Sequence, residues 1–318
     1  MHGGEAKRKR RFRDVHALRA AWLHYAGGLT QAAVAKRLGV PSVKAHRLIA
    51  RAVAEGAVKV TVEGDIVECV DLEMQLSERF GLEFCEVAPD IGEEGLPLRA
   101  LGLAGASYLR RELEHGDHAV IGLAHGRTLA ASVQQLPRMD GLKQRFVSLL
   151  GGLARNFSAN PHEVMHKLAE KTGAPAFMMP VPFFANTVED REVMLHQKGV
   201  GEVFEMANNA DLKIVGIGTV EPDAQLVHSG MIEHEEIEEI KAAGGRGEML
   251  GHFFDASGAV METTLTARTL GACMGEGDEI VAIAGGADKL AAIHAVLCSG
   301  KLKGLITDEL TAQALLKL

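Results

Sequence analysis

Four glycine-bounded stretches put polar side chains where a solute could meet them. Ala124-His125-Gly126-Arg127-Thr128 follows the apolar run 118–123, and Gly151-Gly152 closes the run 146–150. Gly285-Gly286 follows 280–284, with Lys289 one helical turn further on, and Thr307-Asp308 follows 304–306. Arg127 and Lys289 can each pair an anion, and Thr128 and Asp308 can exchange hydrogen bonds with hydroxyls. Backbone N–H groups in glycine loops that open a helix favour phosphate or hydroxyl oxygens. Each assignment has a plain structural alternative. A single glycine after a strand serves a turn, Arg127 and Lys289 can be solvated or salt-bridged, and Asp308 suits an N-cap equally well. This is binding chemistry. Catalysis needs an acid and a base poised together; Asp308, Asp255 and His125 are available, but no spacing singles them out, so no catalytic residue is assigned.

His162-Glu163-Val164-Met165-His166 matches the HExxH signature of zinc peptidases. Asn160-Pro161 marks a helix start just before it. Lys167 directly follows the second histidine and no HxxGxxH run supplies a third ligand, so no metal site is expected. The acidic stretch 233–239 reads as a solvated helix face, and Met178-Met179 as strand core. The chain has no GxxxxGK[ST] and no GxGxxG at a first βα turn, and no cofactor is assigned.

The elements behind these loops repeat one grammar. A short apolar strand, a glycine-rich loop and a helix recur at 118–123, 146–150, 212–217, 280–284 and 304–306. Alternating βα units with continuously apolar strands predict a mainly parallel, doubly wound sheet. Ligands of such sheets bind beyond the carboxyl ends of the strands, where the glycine loops fall.

The first sixty residues differ in charge from the rest. They hold thirteen Lys and Arg against three Asp and Glu, leaving twenty-one against thirty-nine in the remainder. A basic head on an acidic body suits a polyanion at one end only. Lys7 to Arg13 supplies six of the thirteen, and residues 1–14 read as a disordered basic tail adding salt-sensitive affinity. Residues 15–28 predict a helix with Leu18, Ala21, Trp22 and Tyr25 at helical spacing, ended by Gly27-Gly28. Thr30 offers an N-cap for a helix over 31–38, Gly39 breaks it, and a second helix runs over 42–55. Val34, Leu38, Val40, Ala45 and Leu48 can share a core, with the small Ala35 at the close approach of the two helices, as a helix-turn-helix requires. The second helix would enter a major groove of double-stranded DNA, turning Ser42, Val43, Lys44, His46, Arg47 and Arg51 outward. Its cations can read guanine or neutralise phosphate. Thr30 and Gln31 are candidates for backbone phosphates. Alternation over 57–70 predicts a short β wing or crossover, followed by a helix over 71–80.

The expected architecture is therefore α/β: a small helix-turn-helix, winged-helix-like domain over 15–64 and a large Rossmann-like doubly wound domain over 65–318. Nothing approaches eighteen consecutive apolar residues, so no membrane span is expected. The basic N-terminus has no apolar segment behind it, so no secretory leader is expected. Cys69, Cys85, Cys273 and Cys298 form no CxxC pair and suit reduced thiols in the cytoplasm.

The ordered set of motifs resembles the SorC family of sugar-binding transcriptional regulators. LTQAAVAKRLGVPSVKAHRLIARAVAEGAV is similar to that family's helix-turn-helix. AVIGLAHGRTLAASV, FVSLLGGLARN, LKIVGIGTV, GHFFDASGAV, EIVAIAGGADKLAAIHAVL and GLITDELTAQALL are similar, in order, to its effector domain. The resemblance covers residues 15–318. It implies operator binding by the head, assembly as a homodimer or homotetramer, and response to a sugar, polyol or sugar phosphate. It also implies a body folded like sugar-phosphate isomerases and deaminases, so an isomerase-like enzyme with an accessory DNA module is the rival reading. The matching effector loops hold Gly126, Arg127, Thr128, Gly151, Gly152, Gly285, Gly286, Lys289, Thr307 and Asp308. Two departures stand out. Pro41-Ser42 opens the recognition helix in place of the family's polar pair. Ala124-His125 replaces a polar-aromatic pair, so His125 would tune which effector fits, a polyol such as erythritol being one such guest.

Overall fold

The structure, a computed structural model, describes residues 15–54, 57–58, 67–152 and 162–318. Two compact units divide the chain, residues 1–65 and 66–318. The basic tail over 1–14 and the wing over 59–66 lie outside the described residues, as does the boundary placed between 64 and 65.

The first unit is helical. Helix α1 (Val15–Ala21) runs into a π-helical turn (Trp22–Ala26), followed by α2 (Gln31–Leu38) and α3 (Ser42–Ala54). The Thr30 side chain accepts from Ala33 N at 3.3 Å and so caps α2. Gly39 ends α2 at φ 67°, a left-handed conformation that glycine adopts without strain. Ala20, Leu23, Val34, Ala35, Ala45 and Ile49 form the core, with Leu38, Val40 and Leu48 against it. The first helix turns inward a different face from the one its spacing predicts. Leu18, Trp22 and Tyr25 are exposed, Trp22 by 65%, while Ala17, Ala20, Ala21 and Leu23 are buried. A π turn carries more residues per revolution than an α turn, so Leu23 replaces Trp22 on the inner face.

The second unit begins with α4 (Val67–Phe80), which takes in residues 67–70 that the alternating pattern had assigned to a strand. Then follow β1 (Phe84–Ala88), α5 (Leu98–His115), β2 (Val120–Leu123), α6 (Arg127–Gln135), β3 (Arg145–Ser148), α7 (Met165–Thr172) and β4 (Ala176–Phe177). Next come α8 (Val188–Leu195), α9 (Val200–Asn208), β5 (Leu212–Val215), β6 (Gly218–Thr219), α10 (Gln225–His228), α11 (His234–Ala242), β7 (Gly245–Met249), β8 (His252–Asp255) and β9 (Val260–Met261). The unit closes with β10 (Ile280–Ile283), α12 (Leu290–Cys298), β11 (Gly304–Asp308) and α13 (Glu309–Leu315).

Among the described residues seven strands form one parallel sheet, in the order β1-β11-β10-β5-β2-β3-β4. Strands β2, β5 and β10 are buried at every position, which explains their unbroken apolar runs. From β2 the chain winds outward through β3 and β4, then returns to β5 on the other side of β2. The strand order therefore reverses between β2 and β5, and a crevice opens there beyond their carboxyl ends. A second, antiparallel sheet, β6-β7-β8-β9, was not anticipated. Its β7–β8 hairpin pairs Met249 with His252 across a two-residue turn, Leu250-Gly251, with φ of 53° and 79°. Such turns need positive φ at both central positions, and Leu250 holds one of them despite its side chain.

Lys213 breaks the apolar pattern of β5. It is fully buried, and its Nζ lies 2.5 Å from Asp278 Oδ2 and 3.1 Å from the Cys273 carbonyl. Asp278 Oδ2 also accepts from Gly275 N at 2.7 Å. Removing one partner of a buried pair strands the other charge, at a cost of about 3–5 kcal/mol, whereas an apolar isostere for a buried ion is often tolerated. Asp278→Ala is therefore expected to lose about 3 kcal/mol or more in urea unfolding, and the double variant Lys213→Met/Asp278→Ala to recover most of it. A double variant no more stable than Asp278→Ala would show that the loop 273–278, not the stranded ammonium, carries the loss.

Candidate functional site

At the β2/β5 switch point lies a cavity of about 80 Å³. One water needs about 10–15 Å³ of such space, so the cavity suits a small solute. Ala124 to Thr128 supply one wall, Gly216 to Thr219 beyond β5 another, and Leu150, His162, Phe183, Gln225, Leu226, Ser229, Met231, Glu248, Leu250 and Lys289 complete it.

Each polar group reaches the cavity for a local reason. Gly126, at φ 136°, turns the chain from β2 into α6 without a side-chain cap. Arg127 opens that helix, exposed, where the helix dipole favours a negative guest. Thr128 is buried and donates to the Ile283 carbonyl at 2.9 Å, which ties α6 to β10. Lys289 donates to the Ile217 carbonyl at 2.6 Å. Burial, reinforced by the Arg127 charge and opposed by Glu248, lowers its ammonium to about 8. Glu248 accepts from Gly251 N at 2.7 Å and presents its other oxygen to Gly218, where a β-carbon would stand 2.4 Å from it. Burial pushes the Glu248 carboxyl up to about 7, against the Gly251 bond and Lys289. His125 is pushed down to about 4 by burial, while a bond to the Gly151 backbone works the other way. Burial, then the charges of Arg127 and Lys167, lower His162. At neutral pH the cavity thus holds two cations, Arg127 at its mouth and Lys289 within it, beside a Glu248 carboxyl near half-ionisation and a neutral His125.

Of the effector-loop residues expected from sequence, His125, Gly126, Arg127, Thr128 and Lys289 meet around this cavity. Gly151, Gly152, Gly285, Gly286 and Asp308 are not among its lining residues. A β-carbon on Gly151 would stand 2.1 Å from the Pro182 carbonyl oxygen, and one on Gly152 would stand 3.1 Å from Glu163 Oε2. Asp308 caps α13 by accepting from Thr311 N at 3.0 Å, and also accepts from Gly286 N at 3.0 Å and Thr311 Oγ1 at 2.7 Å. A β-carbon on Gly285 would stand 2.1 Å from that carboxylate. Glu248 and His162 were not foreseen. Glu248 sits on the unanticipated sheet, and His162 stood in sequence only as half of the HExxH match. Helix α7 begins at Met165, later than the start expected at Asn160-Pro161, which lies outside the described residues. His162 therefore precedes the helix that carries His166, and the two do not share a helical face. No group of three or more His, Cys, Asp or Glu able to hold a metal occurs among the described residues.

In the first unit Thr30, Gln31, Ser42, Val43, Lys44, His46, Arg47 and Arg51 are all solvent-facing. His46 Nδ1 lies 3.1 Å from Gln31 Oε1, joining the start of α2 to α3. No helix among the described residues is long and apolar enough to cross a membrane.

A helix-turn-helix unit joined to a doubly wound α/β unit with a solute-sized cavity at its switch point defines a ligand-responsive transcriptional regulator. Residues 64–317 match the Sugar-bind family, “Putative sugar-binding domain”. The chain is 67% identical over 305 residues to the erythritol catabolism regulatory protein EryD of Brucella abortus (strain 2308), covering 95% of this chain and 96% of that one. It is 32% identical to the transcriptional regulator LsrR of Klebsiella pneumoniae, over 94% of this chain and 92% of that protein. The full-length sorbitol operon regulator SorC of K. pneumoniae superposes with a TM-score of 0.69 at 26% identity, over 94% of this chain and 98% of that one. This chain belongs to the SorC family of sugar-binding transcriptional regulators. Like these relatives it is a transcriptional regulator, and the isomerase-like rival reading is not favoured.

The Glu248 carboxyl gives a pH test. The folded protein holds its proton to about pH 7 and a solvated glutamate to about 4.5. Stability from this group is full below 4.5, falls as pH rises, and levels off above about 7. Glu248→Gln keeps an acceptor for Gly251 N–H without the titration. It should match the parent in urea unfolding near pH 4.5 and exceed it by about 3 kcal/mol above pH 8. Equal differences at both pH values would mean that Glu248 titrates as a solvated carboxyl.

Proposed function

We propose that this protein controls transcription of a polyol-catabolic operon and that the cavity between β2 and β5 binds the controlling effector, a small polyol of the erythritol class. The observation that carries the reading is the lining of that cavity. Arg127, Lys289, Glu248 and Thr128 converge on a space of about 80 Å³, and their hydrogen-bond donors and acceptors suit the hydroxyls of a polyol. The 67% identity to a protein named for erythritol catabolism supports the choice of polyol. Gly126, Gly151, Gly152, Gly285, Gly286 and Asp308 shape or brace the loops around the effector. Thr30 and Gln31 meet phosphates of the operator DNA, and Ser42, Val43, Lys44, His46, Arg47 and Arg51 face its major groove. The protein acts in the cytoplasm as a homodimer or homotetramer, so that two heads read two half-sites. The effector shifts the arrangement of the heads only to the extent that it binds one arrangement more tightly.

The deciding experiment is a thermal-shift screen of the full chain against erythritol, other polyols, sugars and their phosphates. A ligand of the native state raises the melting temperature, and erythritol is expected to do so. A shift with phosphorylated sugars alone would reject the polyol. Arg127→Ala should keep operator binding in a mobility-shift assay and lose the response to erythritol; a normal response would take Arg127 out of the effector site. Arg47→Ala should weaken operator binding by about 1–3 kcal/mol if its guanidinium meets a base edge. An unchanged affinity would remove Arg47 from the reading face.

A further inference from the structure

The outer face of α1 and its π turn is apolar and open to solvent. Val15, Leu18, Trp22 and Tyr25 are exposed by 69%, 36%, 65% and 48%, and Arg19 borders them, exposed as well. The inner face, Ala17 and Ala21, packs with Ala52 of α3, so the apolar stripe points away from the helix that reads DNA. Trp and Tyr side chains carry about 150–250 Å² each, so the two rings alone leave roughly 200 Å² open. Leu18 and Val15 bring the stripe to about 400 Å², and contiguous apolar patches of that size mark interaction surfaces.

We propose, resting on the two-headed assembly above, that this stripe is the contact between two heads: α1 of one copy packs across a two-fold axis on α1 of a second copy. In such an isologous contact one patch must serve both sides. This patch can, because it carries both halves of a cation–π pair: Arg19 of each copy lies over the Trp22 or Tyr25 ring of the other. Doubled over two copies the apolar area is on the order of 800 Å², under the roughly 1,200 Å² of interfaces that hold by themselves. Heads carried on one assembly meet at an effective concentration of about millimolar, where a contact of this size suffices. The pairing leaves both copies of α3 free for the duplex and sets the distance between them.

Two measurements on the full chain test this. Trp22 is the only tryptophan in the sequence, so tryptophan emission reports on the stripe alone. In the wild type that emission is expected to lie to the blue and to be quenched by acrylamide several-fold less than an exposed tryptophan, and Leu18→Glu should reverse both. Leu18→Cys is then made in a Cys273→Ser/Cys298→Ser background, which removes the exposed thiols. Bismaleimidoethane should link it into a covalent dimer several-fold faster than Val43→Cys, on α3, in the same background. Freely quenched Trp22 in a chain that sediments as a dimer or tetramer would overturn the contact and leave the two-headed reading standing. So would a shielded Trp22 with Leu18→Cys linked no faster than Val43→Cys, the mark of a stripe covered by its own chain. A chain that sediments as a monomer at every concentration would overturn both.

Discussion

The central strands β2, β5 and β10 are covered on both faces, and everything functional in the larger unit follows from that constraint. A strand closed in this way accepts apolar side chains almost exclusively, so polar chemistry is pushed past its carboxyl end. Lys213 shows what an exception requires: a carboxylate at contact distance and a carbonyl beside it. Beyond the strand ends the chain must leave the sheet, and it does so through glycines followed by helices. The reversal of strand order between β2 and β5 holds two of these exits apart, and the cavity occupies the gap. Side chains from distant parts of the chain, Arg127, Glu248 and Lys289, meet there because topology brings their strand ends together.

Inside that gap burial works on each ionisable group in the direction that reduces its charge. Glu248 is raised, while Lys289, His125 and His162 are lowered. Lys289, at about 8, still carries most of its charge at neutral pH, while Glu248 at about 7 is near half-ionised and His125 at about 4 is neutral. The polar side chains of the wall are each tied to backbone: Glu248 accepts from Gly251 N–H, Lys289 donates to the Ile217 carbonyl and Thr128 to the Ile283 carbonyl.

Much of this was legible in the residues. The helix-turn-helix could be read because its signals are local: Thr30 as cap, Gly39 as stop, Ala35 at the close approach. The parallel strands could be read because complete burial leaves an unbroken apolar run. Other features were hidden for identifiable reasons. Strand β7, Gly245–Met249, contains two glycines, an arginine and a glutamate and carries little strand signal, so Glu248 went unnoticed with its sheet. Strand β1 is an edge strand whose first three residues are only half-buried, which blurs the pattern. The π turn after α1 changes the phase of the helix, and Trp22 and Tyr25 point outward although their spacing argued otherwise. Residues 67–70 alternate apolar and polar types yet begin a helix, because Cys69 and Leu76 both face the core from one side. Asp308 could be read two ways, and its bonds to Thr311 and Gly286 brace the end of β11 against α13.

Leu250, in the β7–β8 turn, holds a positive φ of 53°. A residue with a β-carbon pays about 1–2 kcal/mol to hold a left-handed backbone, and its neighbour Gly251 shows that the chain had the unstrained option at hand. Leu250 nevertheless lies on the cavity wall with its side chain buried. The isobutyl group is thus held in place by a hairpin that would relax more easily without it. The cavity therefore has an apolar floor fixed by a strained backbone as well as a polar rim fixed by hydrogen bonds.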